Sequence, residues 1–241
     1  MIQMSTYVYG DSMFETIEIE QRLLASPYKD YPYLIIKDFF PKSVCKELVE
    51  LVQEDEETKR KAKVKTEVFS GVVQPDLVEE YRKTNIYKLN HGYREYYDQQ
   101  FLKHQPMIEA YFNIAITRST EVQVLEYQKG FFYVKHADDS SEMIDHEGKT
   151  VGFKLVAPER KLSSVLFATS HKVHAQNRET SFAGGELIFN YLYDKEGKAI
   201  KLQPEAGDMI VFPSNPYFSH EVLPVEEGYR LTLVQWHDIL S

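Results

Sequence analysis

The sequence predicts an α+β protein that is mainly β, with an antiparallel sandwich or jelly roll as its core and helices ahead of it. Three observations lead there. From Glu121 onward, short apolar segments recur between Gly, Pro, Asp and Asn, as strands and their turns require. Aromatic residues are abundant, 17 Tyr and 14 Phe against one Trp, and they crowd the C-terminal half, where such side chains favour strands. The N-terminal half instead carries two stretches of apolar residues at helical spacing.

In chain order, residues 1–31 are mixed and polar, an irregular lead-in with a short helix expected around Met13–Leu24. Tyr33-Leu34-Ile35-Ile36 reads as a short strand. Pro41 suits the first turn of a helix, and Val44, Leu48, Leu51 and Val52 behind it mark one buried stripe. The run Glu54 to Lys61 sets acids four residues before bases (Asp55–Lys59, Glu56–Arg60, Glu57–Lys61), which predicts a solvated helix end rather than a basic docking patch. Tyr93, Tyr97 and Phe101 share a face of a second helix, expected over Tyr93 to His104. Pro106 should break it or begin another, with Tyr111 and Phe112 continuing helical packing. Strands are expected from Val122 to Tyr127, Ser164 to Ala168, Gly185 to Phe189, Asp208 to Phe212 and Tyr229 to Trp236. Two polar insertions, about 139–159 and 170–181, read as surface decoration or as loops that gate a substrate. The expected organisation is a lead-in over 1–31 and a single domain over 32–241, helical to about 118 and β from about 119 to 238.

A chain of 241 residues suits one β-rich domain. Its net charge of −9 disfavours a broad grip on nucleic acid and leaves a basic or neutral peptide, or a small molecule, as the easier partner. Cys45 is the only cysteine, so no internal disulfide forms and a reducing compartment is expected. Met1 to Ser12 has neither a basic n-region nor an apolar h-region, and no apolar run is long enough to span a membrane. The expected location is the cytoplasm, without a membrane partner.

The chemistry concentrates at His136-Ala137-Asp138 and His220. Residues two apart on a strand project to one face, and sheet pairing brings a second histidine alongside. Two imidazoles and a carboxylate form a facial triad that leaves half an octahedron open. That set suits non-haem Fe(II), which must also bind a cosubstrate and O₂. Arg230 would follow on the returning strand, after a turn at Glu226-Glu227-Gly228, and enter the same cavity. A guanidinium there grips a distal carboxylate fork to fork, so an anionic cosubstrate is expected. His171 and His174 have metal spacing, but their surroundings are polar and aperiodic, and a surface loop pair is expected. His146 lies in an insertion, His91 and His104 in the helical section, and His237 near the barrel end. Asp139 reads as a supporting or solvated residue. There is no Gly-x-Ser-x-Gly elbow and no Walker or dinucleotide fingerprint.

Over about residues 31–238 the chain resembles the prolyl 4-hydroxylase-like branch of the 2-oxoglutarate- and Fe(II)-dependent dioxygenases. The resemblance rests on Pro32 to Phe40, Cys45-Lys46-Glu47-Leu48, Arg82-Lys83-Thr84 and the Tyr-x-x-Gly-x-x-Tyr-x-x-His-x-Asp motif at 127–138. Gly184-Gly185-Glu186-Leu187, Pro204-x-x-Gly207-Asp208, Phe212-Pro213-Ser214, His220 to Val225 and Gly228-x-Arg230 complete it in the family order. It implies a double-stranded β-helix with N-terminal helices packed against it. It also implies Fe(II) on His136, Asp138 and His220, the remote carboxylate of 2-oxoglutarate on Arg230 with help from Tyr127, O₂ as second cosubstrate, and ascorbate as a reductant. Thr232 and Trp236, on the same strand as Arg230 at even spacing, are further candidates for the pocket lining. Arginine at 230 resembles the oxygen-sensing prolyl and the lysyl hydroxylases more than the collagen-type members, which carry lysine there.

Hydroxylation of a prolyl, or secondarily lysyl, residue in a peptide is the leading expectation, with succinate and CO₂ as coproducts. Arg230-x-Thr232 resembles the Arg-x-Ser of small-molecule oxygenases, so a free amino acid or metabolite is the first alternative. A jelly-roll module that binds metal without catalysis is the second. Nucleic-acid demethylation is disfavoured because Trp236 stands where that branch has a second arginine. Halogenation is disfavoured because Asp138 fills the place of the halide.

Overall fold

Alternating apolar side chains from Gln123 onward pair into two antiparallel sheets that share a jelly-roll core. The structure, a computed structural model, describes residues 8–10, 32–55, 60–61, 81–144, 146, 149–175 and 179–240. The larger sheet runs, in spatial order, Leu34–Ile36, Met209–Pro213, Leu162–Phe167, Arg230–Leu240, Gln123–Tyr127, Asn85–Lys88 and Arg60–Lys61, with Ala115–Ser119 also on Arg230–Leu240. The smaller sheet runs Ala199–Leu202, Leu187–Tyr193, His220–Val222, Phe132–His136 and Arg82–Lys83.

The pleat divides each strand between two environments. On Arg230–Leu240, Leu231 and Leu233 join the cluster beneath the helices, while Val234 and Trp236 join the cluster between the sheets. The second cluster draws Leu125, Phe167 and Phe212 from the larger sheet and Leu187, Phe189 and Val222 from the smaller. Two helices among the described residues, α1 (Lys42–Glu54) and α2 (His91–Phe112), cover the outer face of the larger sheet. Helix α1 buries Cys45, Leu48, Val49 and Val52, and each of its fully buried Leu and Val side chains contributes roughly 1.5–3 kcal/mol. Asn90 caps α2 by accepting from the Tyr93 amide at 3.0 Å, and Asn113 ends it in the left-handed region.

Four expectations differ from the fold. Helix α2 runs unbroken through Pro106. The proline and Leu102, whose carbonyl loses its partner, both face solvent, while Tyr97, Phe101, Ile108 and Tyr111 anchor both halves in the core. Helix α1 stops at Glu54, and Arg60–Lys61 is a strand on Asn85–Lys88, so Arg60 and Lys61 do not extend a helical charge ladder. Glu56 to Lys59 and the helix expected at Met13–Leu24 lie outside the described residues. The insertion after Asp138 is a hairpin, Ser140–Ile144 with Thr150–Leu155, whose second strand also pairs with Val8–Gly10. Glu226-Glu227-Gly228 is no turn: Val225–Gly228 pairs with Ser181–Gly184, which pairs in turn with Ser170–His171. That pairing carries the chain across to the larger sheet before Arg230.

His237 is fully buried, stacked on Phe101 at 4.5 Å, with Ser119 Oγ 2.7 Å from Nδ1 and Ser164 Oγ 2.9 Å from Nε2. Burial lowers its pKa to about 3, so it folds as the neutral imidazole. A depressed folded-state pKa means that its stabilising contribution is complete above the unfolded value near 6.5 and is lost as pH falls towards 3. Urea titrations should therefore show a His237→Gln variant losing about 2 kcal/mol less than the parent between pH 8 and pH 5. Equal losses in both proteins would refute this role. No helix among the described residues is long and apolar enough to cross a membrane.

Candidate metal centre

His136 ends the strand Phe132–His136, His220 opens the strand His220–Val222, and the antiparallel register sets the two directly opposite each other. Their ring centroids are 4.3 Å apart. Asp138 follows just past the strand end, with Oδ1 3.8 Å from His136 Nε2. One ligand atom from each of the three residues lies within 4.8 Å of the others.

Backbone carbonyls decide which ring nitrogen faces inward. His136 Nδ1 lies 3.0 Å from the Val134 carbonyl, and His220 Nδ1 lies 3.0 Å from the Phe218 carbonyl. A carbonyl only accepts, so each Nδ1 carries the hydrogen and each Nε2 presents a lone pair. Burial, then the neighbouring His220, lowers the His136 pKa to about 3, keeping that ring neutral. Burial would raise the Asp138 carboxyl, but His220, His136, the Ser163 hydroxyl and Arg160 together hold it below the usual range. Two neutral imidazoles and one carboxylate, pre-aimed at a common point, are a donor set that fits Fe(II).

The carboxylate is clamped from several sides. Ser163 Oγ donates to Asp138 Oδ2 at 2.6 Å and lies 2.7 Å from Ser214 Oγ. The amides of Asp138 and Asp139 both donate to the Ser214 carbonyl at 3.2 Å. Arg160 donates to the Asp138 carbonyl at 3.3 Å. Asp139 turns to the Ser140 hydroxyl, and its carbonyl holds the amides of Val156 and Ala157. Removing an outer partner of a ligand costs about 10- to 100-fold in metal affinity. Ser163→Ala should therefore weaken Fe(II) binding by about tenfold in anaerobic titration calorimetry, with folding unchanged by circular dichroism. Unaltered affinity would show that Ser163 does not orient the carboxylate.

Arg230 is the largest fully buried side chain among the described residues, and its guanidinium sits against the cluster between the sheets. Its guanidinium lies over Tyr127 at 4.7 Å, Phe167 at 5.3 Å and Phe182 at 5.8 Å. Nη1 reaches Thr232 Oγ1 at 3.5 Å, and Nε has no hydrogen-bond partner. Burial lowers the pKa to about 10, which still leaves the group charged at neutral pH. No carboxylate among the described residues pairs with it. An unpaired buried cation is costly, and an anionic ligand entering the box would relieve that cost. Gly185 makes room: a Cβ there would meet Arg230 Cδ at 3.2 Å and Val225 Cγ2 at 2.7 Å, while Gly228, at φ +76°, lets the backbone pass close to the Ser181 carbonyl.

Tyr127 faces Arg230 across the strand pair and supplies its aromatic floor. Trp236 does not reach Arg230; it carries Arg160, whose guanidinium carbon sits 3.9 Å above the indole. His171 is buried rather than on a surface loop, because Ser170–His171 pairs with the strand at Ser181 and the imidazole meets Glu186 at 3.4 Å. His174 is exposed. Sequence reasoning did not single out Ser163 or Arg160, whose partners are set by sheet register rather than by local spacing. Ser214 and Arg82 were visible only as members of motifs.

Residues 122–238 match the family described as the 2OG-Fe(II) oxygenase superfamily. No curated protein sequence matches the chain. Among solved structures, a Pseudomonas putida prolyl-4-hydroxylase is similar at 22% identity and TM-score 0.55, over 86% of this chain and 92% of that one. A Trichoplax adhaerens prolyl hydroxylase in complex with a hypoxia inducible factor peptide is similar at 18% identity and TM-score 0.58, over 90% and 88%. The viral collagen prolyl hydroxylase of Paramecium Bursaria Chlorella virus-1 is similar at 17% identity and TM-score 0.54, over 86% and 96%. At these identities the likeness establishes a shared fold.

Proposed function

From a chain whose residues 122–238 are a 2OG-Fe(II) oxygenase domain, we propose a hydroxylase of prolyl residues in peptides or proteins, with lysyl residues as second choice. The observation that carries the reading is the convergence of His136, Asp138 and His220, in a domain that also buries an arginine with no carboxylate partner among the described residues. Fe(II) held by these three side chains supplies, with 2-oxoglutarate and O₂, the oxidising power that turns an unactivated C–H into C–OH, leaving succinate and CO₂. Arg230 binds the remote carboxylate of 2-oxoglutarate, Thr232 steadies its Nη1, and the aromatic floor of Tyr127, Phe167 and Phe182 keeps water from the ion pair. Val134 and Phe218 hold the imidazoles in register for the metal, while Ser163 and Ser214 fix the carboxylate.

The peptide assignment draws on the prolyl hydroxylases that share the fold, two of which are named for a hypoxia inducible factor peptide and for collagen. The buried Cys45 fits a reducing, cytoplasmic setting. The test is a proline-containing peptide library incubated with the protein, Fe(II), ascorbate as reductant and 2-oxoglutarate. Succinate should appear by NMR in proportion to a mass gain of one oxygen on proline. Oxygen incorporation into free amino acids alone would favour the small-molecule reading suggested by Arg230-x-Thr232.

A further inference from the structure

We propose that Arg82 and Arg160 form a carboxylate-reading pair beside the metal centre, so that the peptide hydroxylated carries an acidic residue next to its target. The inference rests on the peptide reading above and adds the charge of the substrate.

Three arginines among the described residues have a buried Nε without a partner: Arg230, Arg82 and Arg160. The first is assigned to the cosubstrate. The other two stand on either flank of the triad. Arg82 lies over Tyr133 at 4.5 Å, and Tyr133 stacks on His136 with centroids 3.6 Å apart. Arg160 touches the Asp138 carbonyl through Nη1 and lies 3.9 Å over Trp236. Each guanidinium therefore has one face on an aromatic ring. Its in-plane fork of N–H groups, the edge that fits a carboxylate, is not consumed by an acidic side chain. Neither arginine forms an ion pair among the described residues, whereas Lys37, Lys42, Lys135 and Lys172 all do.

The arrangement is selective in an acidic chain. With 37 acidic residues against 28 basic ones, carboxylates are plentiful, yet none among the described residues forms an ion pair with either arginine. Net charge alone favours a basic or neutral partner, but two arginines stand next to the triad. A substrate carboxylate between the two forks would complete ion pairs that the described residues leave open.

Trp236 is the only tryptophan, so its fluorescence reports the Arg160 site without interference. The experiment titrates the full chain, loaded with Fe(II) and 2-oxoglutarate under argon, with three probes. These are a blocked peptide with proline between two aspartates, its twin with asparagines, and free L-proline. The aspartate peptide should bind about tenfold or more tightly than the asparagine twin. Arg82→Gln and Arg160→Gln should each reduce that ratio to within about twofold. Arg82→Lys and Arg160→Lys, which keep charge but lose the fork, should restore part of it and guard against misfolding as the cause. Equal, measurable affinity for both peptides in the unaltered protein overturns the pair, as does the absence of a carboxylate-dependent response from any probe. A response to free L-proline alone, removed by the same variants, supports the pair and overturns the peptide reading instead.

Discussion

Asp138→Ala is expected to abolish succinate formation and to lower Fe(II) affinity by at least about 100-fold. The magnitude follows from comparison: loss of a hydrogen bond behind a ligand already costs about 10- to 100-fold, and here the donor itself is removed. Asp138 also brings the only negative charge among the three ligands. Without it two neutral imidazoles must hold a dication in a buried site, against its full desolvation cost. The fold should survive, because Asp138 lies past the strand end and the amide bond to the Ser214 carbonyl does not need the side chain. Anaerobic calorimetry gives the affinity, NMR of succinate gives the turnover, and circular dichroism controls for folding. A variant that binds Fe(II) as tightly as the parent would remove the triad from consideration.

Arg230→Met is expected to separate function from stability. Binding of 2-oxoglutarate should weaken by about 2–5 kcal/mol, roughly 30- to 4,000-fold, as for a buried charge pair that loses one partner. The unliganded protein should be as heat-stable as the parent or more so, since the substitution removes an unpaired buried cation. In the parent, millimolar 2-oxoglutarate should raise the unfolding temperature by mass action, and in the variant it should not. Differential scanning fluorimetry with and without the cosubstrate reads both effects. Were the variant unstable yet still stabilised by 2-oxoglutarate, Arg230 would be a packing residue only.

How far these features were legible in the sequence depends on the range of the interaction. The strand from Tyr229 to Trp236 announced itself as a short apolar segment after a turn-forming glycine, and the buried stripe of α1 by its helical spacing. His136 and Asp138 are near neighbours in sequence, so their common direction needed only the geometry of an extended chain. What failed was non-local. The segment at Glu226-Glu227-Gly228 has the composition of a turn, yet the strand at Ser181–Gly184 recruits it. Pro106 carries a helix-breaking signal that solvent exposure disarms. His171 sits in a polar stretch, but strand pairing draws it inward to Glu186. The clamp on Asp138 comes from Ser163 and Ser214, far along the chain, and no local pattern marks a serine as a clamp.

The strand Arg230–Leu240 has neighbours on both sides, Leu162–Phe167 on one and Gln123–Tyr127 with Ala115–Ser119 on the other. The middle of the larger sheet is thus filled by a segment that comes later in the chain than every strand it pairs with. During translation, every earlier piece of that sheet must wait with open edges and uncovered apolar faces until residue 240 has cleared the ribosomal exit tunnel. High contact order of this kind slows folding and prolongs exposure to aggregation. Chaperone demand during expression, and intolerance of any deletion reaching back into this strand, follow from where the chain places its centre.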